Sequence, residues 1–182
     1  MRTLILCTMV WILTTTACQA QGYGNYASSI GLSTGYAEDG IGIMANYNYH
    51  LNRYSYAQLG VFGAIAEDKG TYDIPYTIFT VQPGYFRKIW EERNFKRYSL
   101  HLGGGGLLGY EVINNGNNDL ENGALINGKS QFIYGLFLGL EAEIRLGSSF
   151  SLLLKGNEFY HFNSDVGNFY PYIGLGLRYF LF

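Results

Sequence analysis

The chain has 182 residues, of which 48% are hydrophobic, 17% aromatic and only 14% charged, with 25 Gly and a formal net charge of -2. That length suits one domain, and the high apolar content with sparse charge excludes a disordered chain. The near-neutral balance lacks the basic face that nucleic acid demands, so direct nucleic-acid binding is not expected.

Residues 1–20 read as a secretory signal peptide: Arg2, then the apolar run "LILCTMVWIL", then the small-residue stretch "TTTACQAQ". The run is far short of the about 20 apolar residues that a bilayer-spanning helix needs. Cleavage after Ala20 starts the mature chain at Gln21, leaving residues 21–182 as a single barrel domain. Cys7 and Cys18 depart with the leader, so no disulfide framework or Cys metal site is expected. Lipidation of Cys18 is the rival reading; the preceding "TTA" lacks the aliphatic residue usual three positions upstream.

After residue 20 the recurring signal is alternation, the period of a strand with two different faces. In 28–37, Ile30, Leu32 and Tyr36 oppose Ser29, Gly31, Ser33 and Gly35. In 41–50, Ile41, Ile43, Ala45, Tyr47 and Tyr49 oppose Gly42, Met44, Asn46, Asn48 and His50. The stretches 55–65 and 76–89 continue the pattern: Leu59, Val61 and Ile65 against Tyr56, Gln58 and Gly60, then Phe79, Val81 and Tyr85 against Thr80, Gln82 and Gly84. In 98–110, Tyr98, Leu100, Leu102, Leu108 and Tyr110 face away from His101, Gly103, Gly105 and Gly109. The clearest case is 131–146, where every even position from Phe132 to Leu146 is apolar and the odd positions include Glu141, Glu143 and Arg145. In 150–161, Phe150, Leu152 and Leu154 oppose Ser151 and Lys155. Finally, 169–182 sets Ile173, Leu175, Leu177, Tyr179 and Leu181 against Gly174, Gly176 and Arg178.

These eight segments alternate between short or modest links (51–53, 91–96, 147–149) and, on the other side, longer ones (66–75, 111–129, 163–168) plus the tight "EDG" at 38–40. Even strand number with that asymmetry predicts an all-β, eight-stranded antiparallel up-and-down transmembrane barrel of outer-membrane type, its termini facing the periplasm. A sheet in hydrocarbon must close, because unpaired edge amides find no water there. In so narrow a cylinder the lumen fills with side chains, so bulky apolar residues belong outside and small or polar ones inside. A soluble secreted barrel or sandwich inverts this, and then leaves many Gly on exposed strand faces, where they weaken the strand. Two residues strain the parity. Phe182 falls on the lumen side with Arg178, and Glu158 falls on the lipid side, which requires either a place beyond the apolar belt or a bulge near Gly156.

Candidates for chemistry are few. "GGGG" at 103–106 lacks the Lys-Ser/Thr and helix start of a phosphate loop, and reads as close strand packing. Glu141 and Glu143 would suit acid/base work, but in a lumen they are expected to pair with Arg145, Lys155 or Arg178, since isolated buried charges are prohibitively costly. His50, His101 and His161 lie on separate strands without metal spacing, so no metal and no cofactor are expected. His161, Ser164 and Asp165 gather at the outer rim, the place for an alternative reading as a lipid-acting barrel enzyme; a plain turn is favoured. The 111–129 loop carries Glu111, Asp119 and Glu121 but not the order of a Ca²⁺ loop.

The segments "NYASSIGLSTGYAEDGIGIMANYNYHLN", "YDIPYTIFTVQPGYFRKIW", "LENGALINGKSQFIYG" and "NEFYHFNSDVGNFYPYIGLGLRYF" together resemble the TraO family of conjugative-transposon transfer proteins, over essentially the whole mature chain. The resemblance implies a role in conjugal DNA transfer as an envelope component; joined to the barrel pattern, it predicts a structural, non-enzymatic accessory in the outer membrane, with outer-membrane lipid and other transfer proteins as partners. It supplies no catalytic or ligand residue. A general surface or envelope-integrity barrel is the further alternative.

Overall fold

A computed structural model describes residues 28–69, 73–114, 130–164 and 167–181. The predicted leader, Asp165, Phe182 and most of the 111–129 loop lie outside the described residues. Eight antiparallel strands follow chain order: β1 (Ser28–Ala37), β2 (Gly40–Asn52), β3 (Ser55–Lys69), β4 (Asp73–Glu91), β5 (Tyr98–Ile113), β6 (Gln131–Arg145), β7 (Phe150–His161) and β8 (Phe169–Leu181). Each pairs with its sequence neighbour, and β1 pairs with β8 from Ser28↔Leu181 to Ala37↔Tyr172, closing the barrel. Closure satisfies every strand edge and leaves none to pair with another chain.

Alternation decides which way each side chain points. Ile30, Leu32, Ile41, Ile43, Leu59, Leu108, Leu136, Leu138, Ile173 and Leu175 all face outward and are exposed, a continuous hydrocarbon belt. Tyr47, Trp90, Tyr98, Phe150 and Tyr179 border the belt near the short-turn end; Tyr36, Phe79, Tyr110, Tyr134 and Phe169 border it near the long-loop end. An amphipathic aromatic ring suits such a boundary, where one side is apolar and the other wet.

The inward face differs from the small, polar lumen expected. Its short-turn half is polar and charged, but its long-loop half is aromatic: Phe62, Tyr76, Phe137, Phe159, Tyr170 and Tyr172 form one buried cluster. Phe62 lies 5.0 Å from Phe159 and 5.2 Å from Tyr172 between ring centroids, within normal aromatic packing range. Inward glycines make the room. A Cβ on Gly84 would sit 2.6 Å from Phe137 Cζ, and one on Gly42 would sit 2.7 Å from Phe62 Cε2. Glycine here is the hollow that receives a ring from a nearby strand, Phe62 from the adjacent β3 over Gly42 and Phe137 from β6 over Gly84, so this half of the narrow barrel holds large side chains.

Two further expectations change. The ladder of β3 and β4 continues through Glu67↔Pro75 to Lys69↔Asp73, so most of the expected 66–75 loop is strand. Apolar alternation fades there although the hairpin's hydrogen bonds do not, because strands continue past the belt into water. At β7 no bulge resets the register: pairing with β6 is unbroken from Gly135↔His161 to Arg145↔Ser151. Glu158 therefore points outward, exposed, and it lies inside the belt rather than beyond it. Its ladder partners are Leu138 and Pro171, while Tyr160 and Phe169 stand one step nearer the loops.

Candidate functional site

Four of the five charged residues expected in the lumen meet in its short-turn half. Adjacent strands β6, β7 and β8 deliver Glu141, Glu143, Lys155 and Arg178, because each sits at an inward parity and the register sets Glu141 beside Lys155 and Ser151 beside Arg178. Arg178, wholly buried, donates Nη1–H to Glu143 Oε2 at 2.7 Å and Nη2–H to Glu141 Oε2. Lys155 Nζ lies 2.7 Å from Glu141 Oε1 and donates to Asn46 Oδ1 at 3.0 Å. Two cations thus face two carboxylates, the balance that burial requires. Neutral donors complete it. Tyr56 Oη–H donates to Glu141 Oε2 at 2.6 Å, Gln58 Nε2 to Glu141 Oε1 at 3.1 Å, and Ser151 Oγ–H to Glu143 Oε1 at 2.8 Å. The Arg178 guanidinium also lies 5.0 Å from the Tyr56 ring centre, a cation–π distance. Arg145 is the exception. It ends β6 exposed, over the Phe180 ring at 5.2 Å.

Beside this cluster runs a hydrogen-bonded string of amides. Asn46 Nδ2 donates to Asn48 Oδ1 at 3.0 Å and Asn48 Nδ2 to Ser29 Oγ at 3.1 Å, while Ser29 Oγ lies 3.1 Å from His50 Nε2. His50 and His101 flank Tyr56, each with ring centroids 5.5 Å from it. Below them a cavity of about 470 Å³ opens at the short-turn end, bounded by the link after β2 and the 92–97 link after β4. Lys96 and Arg97 stand exposed on its rim.

Ser164 Oγ–H donates to Glu111 Oε2 at 2.6 Å, while His161 packs its ring 6.0 Å from that of Tyr170. Glu111 is not a loop residue but a buried member of β5, also accepting a hydrogen bond from Gln131 Nε2 at 3.1 Å. Gly103 to Gly106 lie within β5, against β4 and β6. Among the described residues no three His, Cys, Asp or Glu are grouped to hold a metal.

Sequence reading missed the neutral partners of the ion cluster, Tyr56, Gln58, Asn46 and Ser151, and the turn-end cavity with its basic rim. The signal for the rim was legible: "RKIWEERNFKRY", 87–98, is the most charged stretch of the chain. The cross-lumen partners left no such trace, since Tyr56 and Glu141 are 85 residues apart.

A sequence model described as "Conjugative transposon protein TraO" matches residues 7–181. The chain belongs to the TraO family. Solved structures similar to this TraO-family chain include eight-stranded barrels of the outer-membrane kind. Neisserial surface protein A shares 12% identity with a TM-score of 0.57, covering 88% of this chain and all of the other. Ail of Yersinia pestis shares 15% at 0.55, with the same coverage. The N-terminal barrel domain of Pseudomonas aeruginosa OprF shares 9% at 0.53, covering 85% of this chain and 96% of that one. No curated protein matches the TraO-family chain in sequence.

Proposed function

We propose that this TraO-family barrel sits in the outer membrane as a structural accessory of conjugative DNA transfer, its short turns in the periplasm and its long loops outside. Its partners are outer-membrane lipid around the belt and other transfer proteins at the rims. The observation that carries the role is the family match across residues 7–181. The belt of exposed Leu, Ile and Val supports the location, since such a surface is stable only in hydrocarbon or against another protein.

The lumen gives the role its mechanism. Arg178, Tyr56, Lys155, Phe62 and Phe86 are fully buried inside the cylinder, which leaves no path for a nucleoprotein strand. The barrel therefore contributes rims and rigidity rather than a conduit. The ion cluster acts in this reading as a structural plug, not as an acid/base pair: every carboxylate oxygen of Glu141 and Glu143 already accepts a charged or hydroxyl donor. The test is deletion of the gene from an otherwise intact element. Transfer frequency should fall and return on complementation; undiminished transfer overturns the role.

A further inference from the structure

The cavity at the short-turn end has a composition that the plug does not account for. Five cationic side chains line it, Arg53, Lys88, Lys96, Arg97 and Arg145, against two carboxylates, Glu91 and Glu143. Both carboxylates are engaged: Glu91 lies 2.6 Å from Lys88 Nζ and 3.3 Å from Arg53 Nη2, and Glu143 is held by Arg178 and Ser151. Lys96 and Arg97 have no ion pair with any described residue, and both are exposed on the link between β4 and β5. Cations clustered around a recess whose walls exclude water focus a positive potential into it.

A second, independent feature lies deeper. His101 lines the same cavity, is 5% exposed, and its Nδ1 has no hydrogen-bond partner among the described residues. Buried polar atoms are ordinarily satisfied, so an unpartnered one on a residue that lines a cavity marks a place for a ligand atom. Tyr56 and Phe180 add aromatic surface to the wall. The volume of about 470 Å³ falls in the usual range for ligand sites, roughly 300–1,000 Å³.

We propose that this cavity is a binding site for a carboxylate-bearing peptide, an acidic segment of a periplasmic partner that enters between the turns. Two carboxylates match the unpaired Lys96 and Arg97 at the rim; the Arg guanidinium offers the forked donor pair that a carboxylate accepts. The aromatic wall favours an acid with a hydrocarbon stem over a bare inorganic ion. That the partner is periplasmic rests on the orientation proposed above; binding by the isolated barrel is tested independently of the role in transfer.

The full-length protein, folded in detergent micelles, is titrated with a fluorescent peptide alternating Glu and Gly, with its Gln/Gly counterpart, and with inorganic phosphate as competitor. The acidic peptide should bind at least ~10-fold more tightly than the Gln form, with affinity falling as salt rises. Lys96→Glu with Arg97→Glu should weaken it by at least ~10-fold, and His101→Phe should weaken it while the heat-dependent gel shift of the folded barrel persists. No preference for the acidic peptide, or binding untouched by the rim substitutions, overturns the proposal. Displacement of the peptide by equimolar phosphate overturns it too, since the site would then be a simple oxyanion site.

Discussion

Arg178 concentrates the chemistry of the lumen. Its guanidinium holds two carboxylates at once, so Arg178→Leu leaves Lys155–Glu141 as the remaining close ion pair of the cluster among the described residues. Breaking a buried pair by removing one member costs about 3–5 kcal/mol. The urea midpoint of the barrel in vesicles should fall accordingly. Arg178→Met combined with Glu143→Gln should lose less, because it removes a charge of each sign. Glu158 gives the opposite case. It faces outward among Leu138, Ile173 and Tyr160 without an ion pair to any described residue, near the edge of the belt. Carboxylates on a lipid face cost less than basic residues, and near the interface about 0–1 kcal/mol, so Glu158→Leu should raise the same midpoint by an amount in that range. Parity alone located both residues on their faces. It could not name Tyr56 and Gln58 as partners, because those contacts depend on which strands oppose each other across the closed cylinder.

At the scale of the strand, alternation identified all eight elements, because a belt in contact with lipid writes itself into every second residue. It failed where that pressure ends. Residues 66–69 and 73–75 pair as strand beyond the belt, with residues chosen for water, so no apolar period marks them. The aromatic half of the lumen escaped for a related reason: Phe62 and Phe137 stand at inward positions, and the glycines that make room for their rings, Gly42 and Gly84, are not their ladder partners, so no single strand's pattern shows the fit. The pairing is testable. Gly84→Ala places a Cβ 2.6 Å from Phe137 Cζ and 3.1 Å from the Gly104 carbonyl oxygen. Overpacking of this kind costs about 1–3 kcal/mol. Adding Phe137→Leu, which withdraws the ring's far edge, should recover part of the loss, and the recovered portion measures the coupling of the two positions. Equal, additive losses in the double variant would show that the backbone oxygen, not the ring, sets the limit.

For the whole molecule, the lumen is closed twice. The aromatic cluster of Phe62, Phe159, Tyr170 and Tyr172 fills the long-loop half, and the Arg178–Glu141–Lys155 network closes the short-turn half above the turn-end cavity. These are layers in series along one cylinder, and a path for ions needs both removed. The wild-type protein in a planar bilayer should therefore show no steady conductance. Phe62→Ala with Phe159→Ala should remain silent, because the charged layer still seals the lower half. Tyr56→Ala with Arg178→Ala and Glu143→Ala should also remain silent, because the rings above are intact. Only the combination should pass small ions, with single-channel current as the readout and the heat-dependent gel shift as the control for folding. Conductance from either set alone would mean that one layer carries the whole seal, and the division of the lumen into two plugs would be wrong. Transfer frequency of an element carrying the silent variants completes the argument. If the barrel acts by its rims rather than its interior, each variant that folds should support transfer at the wild-type level.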